Sequence, residues 1–192
     1  MMHLILNTLN IAECTSCLLH KKCSSPLSGY LKGQTPDLMV ISERPSKEED
    51  FVTTQFFDRA NLYLRKLVEQ VFPSYYMTYT LKCYNQLTLS QAKKTGPICV
   101  SSWLFKELHE FKPKILLCMG EISFELITKF LVPGLSKYKE NIGKTHYRLF
   151  ENNIITTWYS PHYIFNGSKL KELQFIKFLK ELKGKIIDVA TN

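Results

Sequence analysis

Four cysteines carry the clearest chemistry in this chain: the pair Cys14-Thr-Ser-Cys17, then Cys83 just after an expected strand, then Cys99 inside an expected helix. Thiolates are soft ligands, and four of them suit either an iron–sulfur cluster or a structural tetrahedral zinc. Spacing alone leaves both open. Zinc ribbons usually pair two C-x-x-C knuckles, whereas Cys83 and Cys99 stand far apart. Disulfides are the remaining use of cysteine, and they belong to oxidising compartments. The start of the chain has no basic n-region, and its apolar run is only Leu4-Ile5-Leu6, so a cytoplasmic protein with ligating thiols is expected. Cys23 reads as a bystander and Cys118 as a small core residue in a buried strand.

Composition sets the frame around these thiols. At 192 residues with 45% hydrophobic content, the chain suits one soluble domain spanning residues 1–192. The longest apolar run, Ile115–Met119, is far too short to span a bilayer, so no membrane is expected. A formal charge of +8 and a sequence pI near 9.1 point to a polyanionic partner, nucleic acid first. The same charge would also fit a merely Lys-rich soluble protein.

The elements that must position the cysteines follow from pattern. Leu38–Ser42 is an apolar run of strand length that empties into a polar, acidic loop, Glu43–Asp50. Helical spacing of Ala60, Tyr63, Leu64, Leu67, Val68 and Val71 predicts a helix over Phe57–Val71, closed by Pro73. Tyr75–Leu81 reads as a second strand and Tyr84–Lys94 as a basic loop. Pro97 is expected to start a helix that carries Cys99, Trp103 and Leu108. Lys114–Met119 is a third strand, and Gly120 turns into a helix reaching Leu131. A basic loop over Lys137–Lys144 precedes two strands, Tyr147–Phe150 and Ile154–Tyr159. The last helix runs from about Ser168 to Lys183. Met1–Leu19 reads as a short amphipathic start, and Ser24–Pro36 as a turn-rich stretch.

Strands alternating with helices imply an α/β fold: a three-layer α/β/α sandwich with a mainly parallel central sheet. Ligands in such sheets sit beyond the carboxyl ends of the strands. The segments after Ser42, Leu81, Met119 and Tyr159 should therefore meet at one cleft. No G-x-S-x-G elbow, Walker phosphate loop or H-E-x-x-H motif is present, so the common hydrolase, nucleotide-binding and zinc-protease readings find no support.

One family gathers these features. The order Cys14-x-x-Cys17, Leu38-Met-Val-Ile-Ser-Glu-Arg-Pro45, Gln55-Phe-Phe-Asp-Arg-Ala60, Tyr76-Met-Thr-Tyr-Thr-Leu-Lys-Cys83, Cys99, Ile115-Leu-Leu-Cys-Met-Gly-Glu121 and Tyr159-Ser-Pro161 resembles the iron–sulfur uracil-DNA glycosylases, families 4 and 5 of their superfamily. The resemblance implies that Cys14, Cys17, Cys83 and Cys99 hold a 4Fe–4S cluster of structural role, with structural zinc as the alternative. It implies hydrolysis of the N-glycosidic bond of a flipped uracil or modified base in DNA.

Its catalytic motifs depart from the family pattern. The Gly-Glu-x-Pro-Gly of the family stands here as Ser42-Glu43-Arg44-Pro45-Ser46, keeping Glu43 to orient water or to bond base or sugar. Phe56 matches the aromatic that stacks on the flipped base, with Phe57 its competitor. Tyr79 replaces the Asn that reads the uracil edge; a phenol offers one hydroxyl and a large ring where an amide offers donor and acceptor. Ser160 stands where the family has the His of His-Pro-Ser, and His162 follows two positions later as the candidate to stabilise a departing base. Lys93, Lys94 and Lys144, interleaved with aromatics, are the candidate DNA contacts. The alternative function is a non-catalytic DNA-binding or polymerase-associated module working with replication proteins. Either would act as a monomer, and a short Lys- and Asn-rich chain would suit a phage or other viral genome.

Overall fold

The computed structural model describes residues 11–135, 137–147 and 153–190. Residues 1–10, which hold most of the expected amphipathic start, and residues 148–152, which hold most of the first of the two late strands, lie outside the described residues. Six strands form one sheet: β1 (Tyr30–Lys32), β2 (Leu38–Ser42), β3 (Tyr75–Tyr79), β4 (Ile115–Met119), β5 (Thr145–Tyr147) and β6 (Ile154–Trp158). Their spatial order is β1-β3-β2-β4-β6-β5. The four central strands are parallel, and β1 and β5 pair antiparallel at the two edges. β2, β3 and β4 are buried on both faces, which is why they read as continuous apolar runs.

Alternation along these strands feeds two cores. Val40, Met77, Tyr79, Leu117 and Met119 face one side with Leu64 and Val68 of α2 (Arg59–Glu69) and Phe175 and Leu179 of α8 (Lys169–Ala190). Met39, Ile41, Tyr76, Leu116 and Cys118 face the other. There they meet α3 (Leu89–Cys99), α4 (Phe105–Phe111) and α5 (Glu121–Leu131). The result is the expected sandwich, helices on both faces of a mostly parallel sheet. No helix among the described residues is long and apolar enough to cross a membrane.

Three loops of the sequence reading are partly helical. The Glu43–Asp50 segment turns helical at Lys47, and α1 (Lys47–Val52) runs past its end, started by a reciprocal capping box between Ser46 and Glu49. The basic Tyr84–Lys94 segment turns helical at Leu89, because Thr88 and Gln91 form a second capping box. Pro97 therefore sits inside α3 rather than opening it, and a π-helical stretch, Val100–Leu104, follows directly. Lys137–Lys144 contains the short α6 (Tyr138–Asn141). β1 lies in the stretch read as turns, and α7 (Pro161–Phe165) follows β6.

Candidate functional site

The carboxyl ends of the parallel strands open on one cleft of about 470 Å³, lined by Glu43, Arg44, Tyr84, Asn85, Ser160 and His162 among others. Parallel pairing continues past β2 and β3, where Thr80 N–H and Leu81 N–H donate to the carbonyls of Ser42 and Glu43 at 2.8 and 2.9 Å. That fixes where the Glu43 side chain leaves the sheet. Its Oε1 accepts the Ile122 N–H at 2.9 Å, in the first turn of α5. Gly120 has φ +96°, and a Cβ there would lie 2.5 Å from the same oxygen, so the close approach requires glycine. Burial pushes the Glu43 carboxyl above the usual carboxylate range, with the Ile122 N–H partly offsetting it. Arg44 is spent inside the protein: its Nη1 donates to Asn85 Oδ1 at 2.7 Å and to Leu87 O at 2.9 Å. It clamps the segment after Cys83 instead of waiting for phosphate.

Ser160 caps α7, its Oγ accepting the Tyr163 N–H at 3.4 Å, and Pro161 occupies the first helical position. His162 follows on the exposed side of that turn. Glu43, Ser160 and His162 thus share one cleft, as the strand-end argument expects.

Phe56 and Tyr79, the expected base-binding residues, do not line this cleft, and both are 0% exposed. Their rings stack face to face, with centroids 4.2 Å apart and planes 2° from parallel. The Tyr79 hydroxyl accepts the Phe56 N–H at 2.8 Å and donates to Glu49 Oε2 at 2.9 Å. Glu49 is the organiser that sequence reading placed in an acidic surface loop. It is fully buried. Its carboxylate collects the N–H groups of Ser46, Phe57 and Asp58, the Asn61 amide and the Tyr79 hydroxyl. These donors compensate the burial of the carboxylate, whose pKa burial still raises. The Ser46-x-x-Glu49 capping pattern was the available signal for its position. Phe56 itself has φ +53°, an uncommon conformation for an aromatic residue. This kink turns Phe56 inward and leaves Phe57, its neighbour, 50% exposed.

The thiols come together from three segments. Cys14, Cys17 and Cys23 are partly buried, and Cys83 and Cys99 are buried. Cys99 Sγ accepts the Lys82 N–H at 3.3 Å, and Cys14 Sγ accepts Trp103 Nε1–H at 3.0 Å. Burial alone would raise the Cys14 thiol, but Ser16 and the Trp103 indole bring it below its ordinary value. Cys23, read as a bystander, donates its thiol to His20 O at 3.8 Å and lies near enough to Cys83 for the two thiols to influence each other's titration. Asp50 holds that segment by accepting from Ser24 N and Oγ at 2.9 and 3.1 Å. In kind these thiols suit a bound metal or cluster; among the described residues no group of three ligand side chains stands where it could hold a metal ion. Cys118 is sealed in β4.

The three lysines do not line the cleft. Lys93 and Lys94 lie on α3, where Lys93 pairs with Glu125 at 2.9 Å, and Lys144 precedes β5.

Residues 28–183 match the Uracil DNA glycosylase superfamily, and the chain belongs to it. The fold and the strand-end cleft are those of a glycosylase-like scaffold.

Proposed function

We propose that the chain is a DNA-binding member of this superfamily whose uracil slot is closed by its own side chain, so that it holds DNA without excising uracil. One observation carries this reading: the Tyr79 ring covers the face of Phe56, the aromatic that matches the family's base-stacking residue. A flipped base needs that face. Members of the superfamily act on DNA, and the +8 charge of the chain favours the same polyanion. Cys14, Cys17, Cys83 and Cys99 would hold a 4Fe–4S cluster, or a zinc ion, that ties the N-terminal segment to β3 and α3. When bound, that group supplies a structural cross-link rather than redox chemistry.

A second reading rests on the open cleft itself. Glu43, Ser160 and His162 converge there, and Glu43 is held by a backbone N–H within reach of solvent. A glycosylase acting on a different base would keep such groups. Oligonucleotides bearing uracil, hypoxanthine or hydroxymethylated bases, incubated with the chain and then cleaved at abasic sites, separate the two. Salt-sensitive binding without product is expected; release of uracil by the unaltered chain would overturn the closed-slot reading.

A further inference from the structure

Beside the cleft lies a second cavity, of about 340 Å³, to which Phe57, Phe165, His162, Asn166, Arg59, Glu48 and Asp58 contribute. That volume falls at the lower end of the roughly 300–1,000 Å³ of small-ligand pockets. We propose that this cavity takes one unpaired nucleobase from a DNA strand lying in the neighbouring cleft, with Phe57 rather than Phe56 as the stacking face. The inference rests on the DNA-binding reading above.

The presentation of Phe57 is built into the fold. The left-handed backbone at Phe56 sends the two phenylalanines to opposite sides. The Phe57 N–H is then pinned to the buried carboxylate of Glu49 at 2.9 Å. An exposed aromatic held by a buried, fully engaged anchor is pre-organised and gives up little freedom on binding. On the other side, Phe165 is 40% exposed and is braced edge-on by Tyr63 at 5.7 Å between ring centroids.

The lining chemistry selects a base over a phosphate. Glu48 and Asp58 outnumber the one guanidinium of Arg59 and would disfavour a phosphate at short range. Asp58 is buried and already accepts from Asn61, so the exposed Glu48 carboxylate and the Asn166 amide are the groups that can accept and donate along the edge of a base, while the phenylalanines supply apolar faces. The cavity also adjoins the cleft, since Asp58 and His162 line both. A strand in the cleft therefore needs to turn out only one nucleotide to fill it.

The test uses the full chain and an oligonucleotide with 2-aminopurine, whose fluorescence falls on stacking, at one unpaired position. The same strand fully paired is the control. Quenching on the unpaired probe is expected with the native chain, retained by Phe57→Tyr and lost with Phe57→Ala. Affinity for the unpaired probe should drop about tenfold in Phe57→Ala, in line with the loss of one stacked base. Because Phe57 is exposed, Phe57→Ala should melt with the native chain, and Phe165→Ala gives an independent second variant. Salt-sensitive binding with quenching indifferent to Phe57 and Phe165 overturns the base site alone. Failure of the native chain to bind any DNA overturns the DNA-binding reading and this inference with it.

Discussion

Tyr79 lies on Phe56 as a base would, with ring planes 2° from parallel and centroids 4.2 Å apart. The contact is intramolecular and is latched at its far end by the hydroxyl bond to Glu49. A base entering from DNA would have to displace the ring and break that bond, and would gain no stacking face until it had done so. Aromatic pairing is worth about 0.5–1.5 kcal/mol beyond burial, so the latch and the stack together disfavour opening.

Tyr79→Phe should keep the slot closed and cost about 1–2 kcal/mol, because Glu49 and the Phe56 N–H each lose a buried partner. Tyr79→Ala should cost about 3–5 kcal/mol, the range for emptying an aromatic site in a core. Tyr79→Asn combined with Ser160→His restores the family residues and, on the closed-slot reading, should create or raise uracil excision. Urea unfolding measures the first two, and abasic-site cleavage of a uracil oligonucleotide the third. A native chain and a double variant with equal, absent activity would place the block elsewhere in the cleft.

A second pair, sealed between the sheet and α4, sits next to the thiols. Lys82 and Glu107 are 1% and 2% exposed and 2.6 Å apart, and the carboxylate also accepts from Tyr76 and Thr78 at 2.9 and 2.8 Å. Removing one partner leaves an uncompensated buried charge, so Lys82→Met should destabilise by about 3–5 kcal/mol. The double variant Lys82→Met/Glu107→Leu should recover part of that loss, limited by the hydroxyls of Tyr76 and Thr78 left without their acceptor. A double-mutant cycle in urea reads the coupling, and additive losses would show that the two charges do not depend on each other.

The parts of this fold legible in the sequence are those dominated by apolar pattern. Leu38–Ser42 and Ile115–Met119 read as strands because both of their faces are buried, and Ala60, Leu64, Leu67 and Val68 read as a helix stripe. Pro97 misled because proline usually marks a helix start; here the capping box at Thr88 nucleates the turn earlier and the helix runs through the proline. Tyr79 shares a face of β3 with Tyr75 and Met77. Its stacking on Phe56 was not legible, because it depends on a positive φ at a residue that is neither Gly nor Asn. Glu49 was misjudged for a related reason. Composition says that four acids in eight residues face solvent, whereas the cap geometry turns Glu49 inward to five donors and Asp50 beside it is buried against Ser24.

Protein purified without oxygen should carry iron and sulfide in comparable amounts and be brown. Cys83→Ser and Cys99→Ser should each lose the colour and melt lower, since both thiols are buried where the segments meet. Cys118→Ser should keep it. Cys23→Ser is the informative control, because its thiol lies near enough to Cys83 to influence its titration. If the four expected ligands suffice, this variant retains its iron; if it loses iron while Cys14→Ser does not, Cys23 replaces Cys14 in the set. A colourless chain with one bound zinc would leave a structural metal site only.

Glu43 should give stability a pH dependence of defined sign. Burial raises its carboxyl above the ordinary value, more than the Ile122 N–H and the Arg44 charge lower it. Below the ordinary carboxylate pKa, folded and unfolded chains both hold the proton. As pH rises past that value the unfolded chain releases it while the folded chain keeps it, so stability falls until the raised folded pKa is passed, and is level beyond. Glu43→Gln removes this titration while its amide oxygen can still accept the Ile122 N–H. Glu49 is also raised by burial, but it contributes equally to both proteins and cancels in their difference. The native chain should therefore lose ground to Glu43→Gln as pH rises through the window just above the ordinary carboxylate range. Thermal midpoints of the two proteins across that range measure it. A native chain that instead gains on Glu43→Gln over the same window would mean that the α5 backbone donor outweighs burial, and that Glu43 is held as an anion ready to orient water.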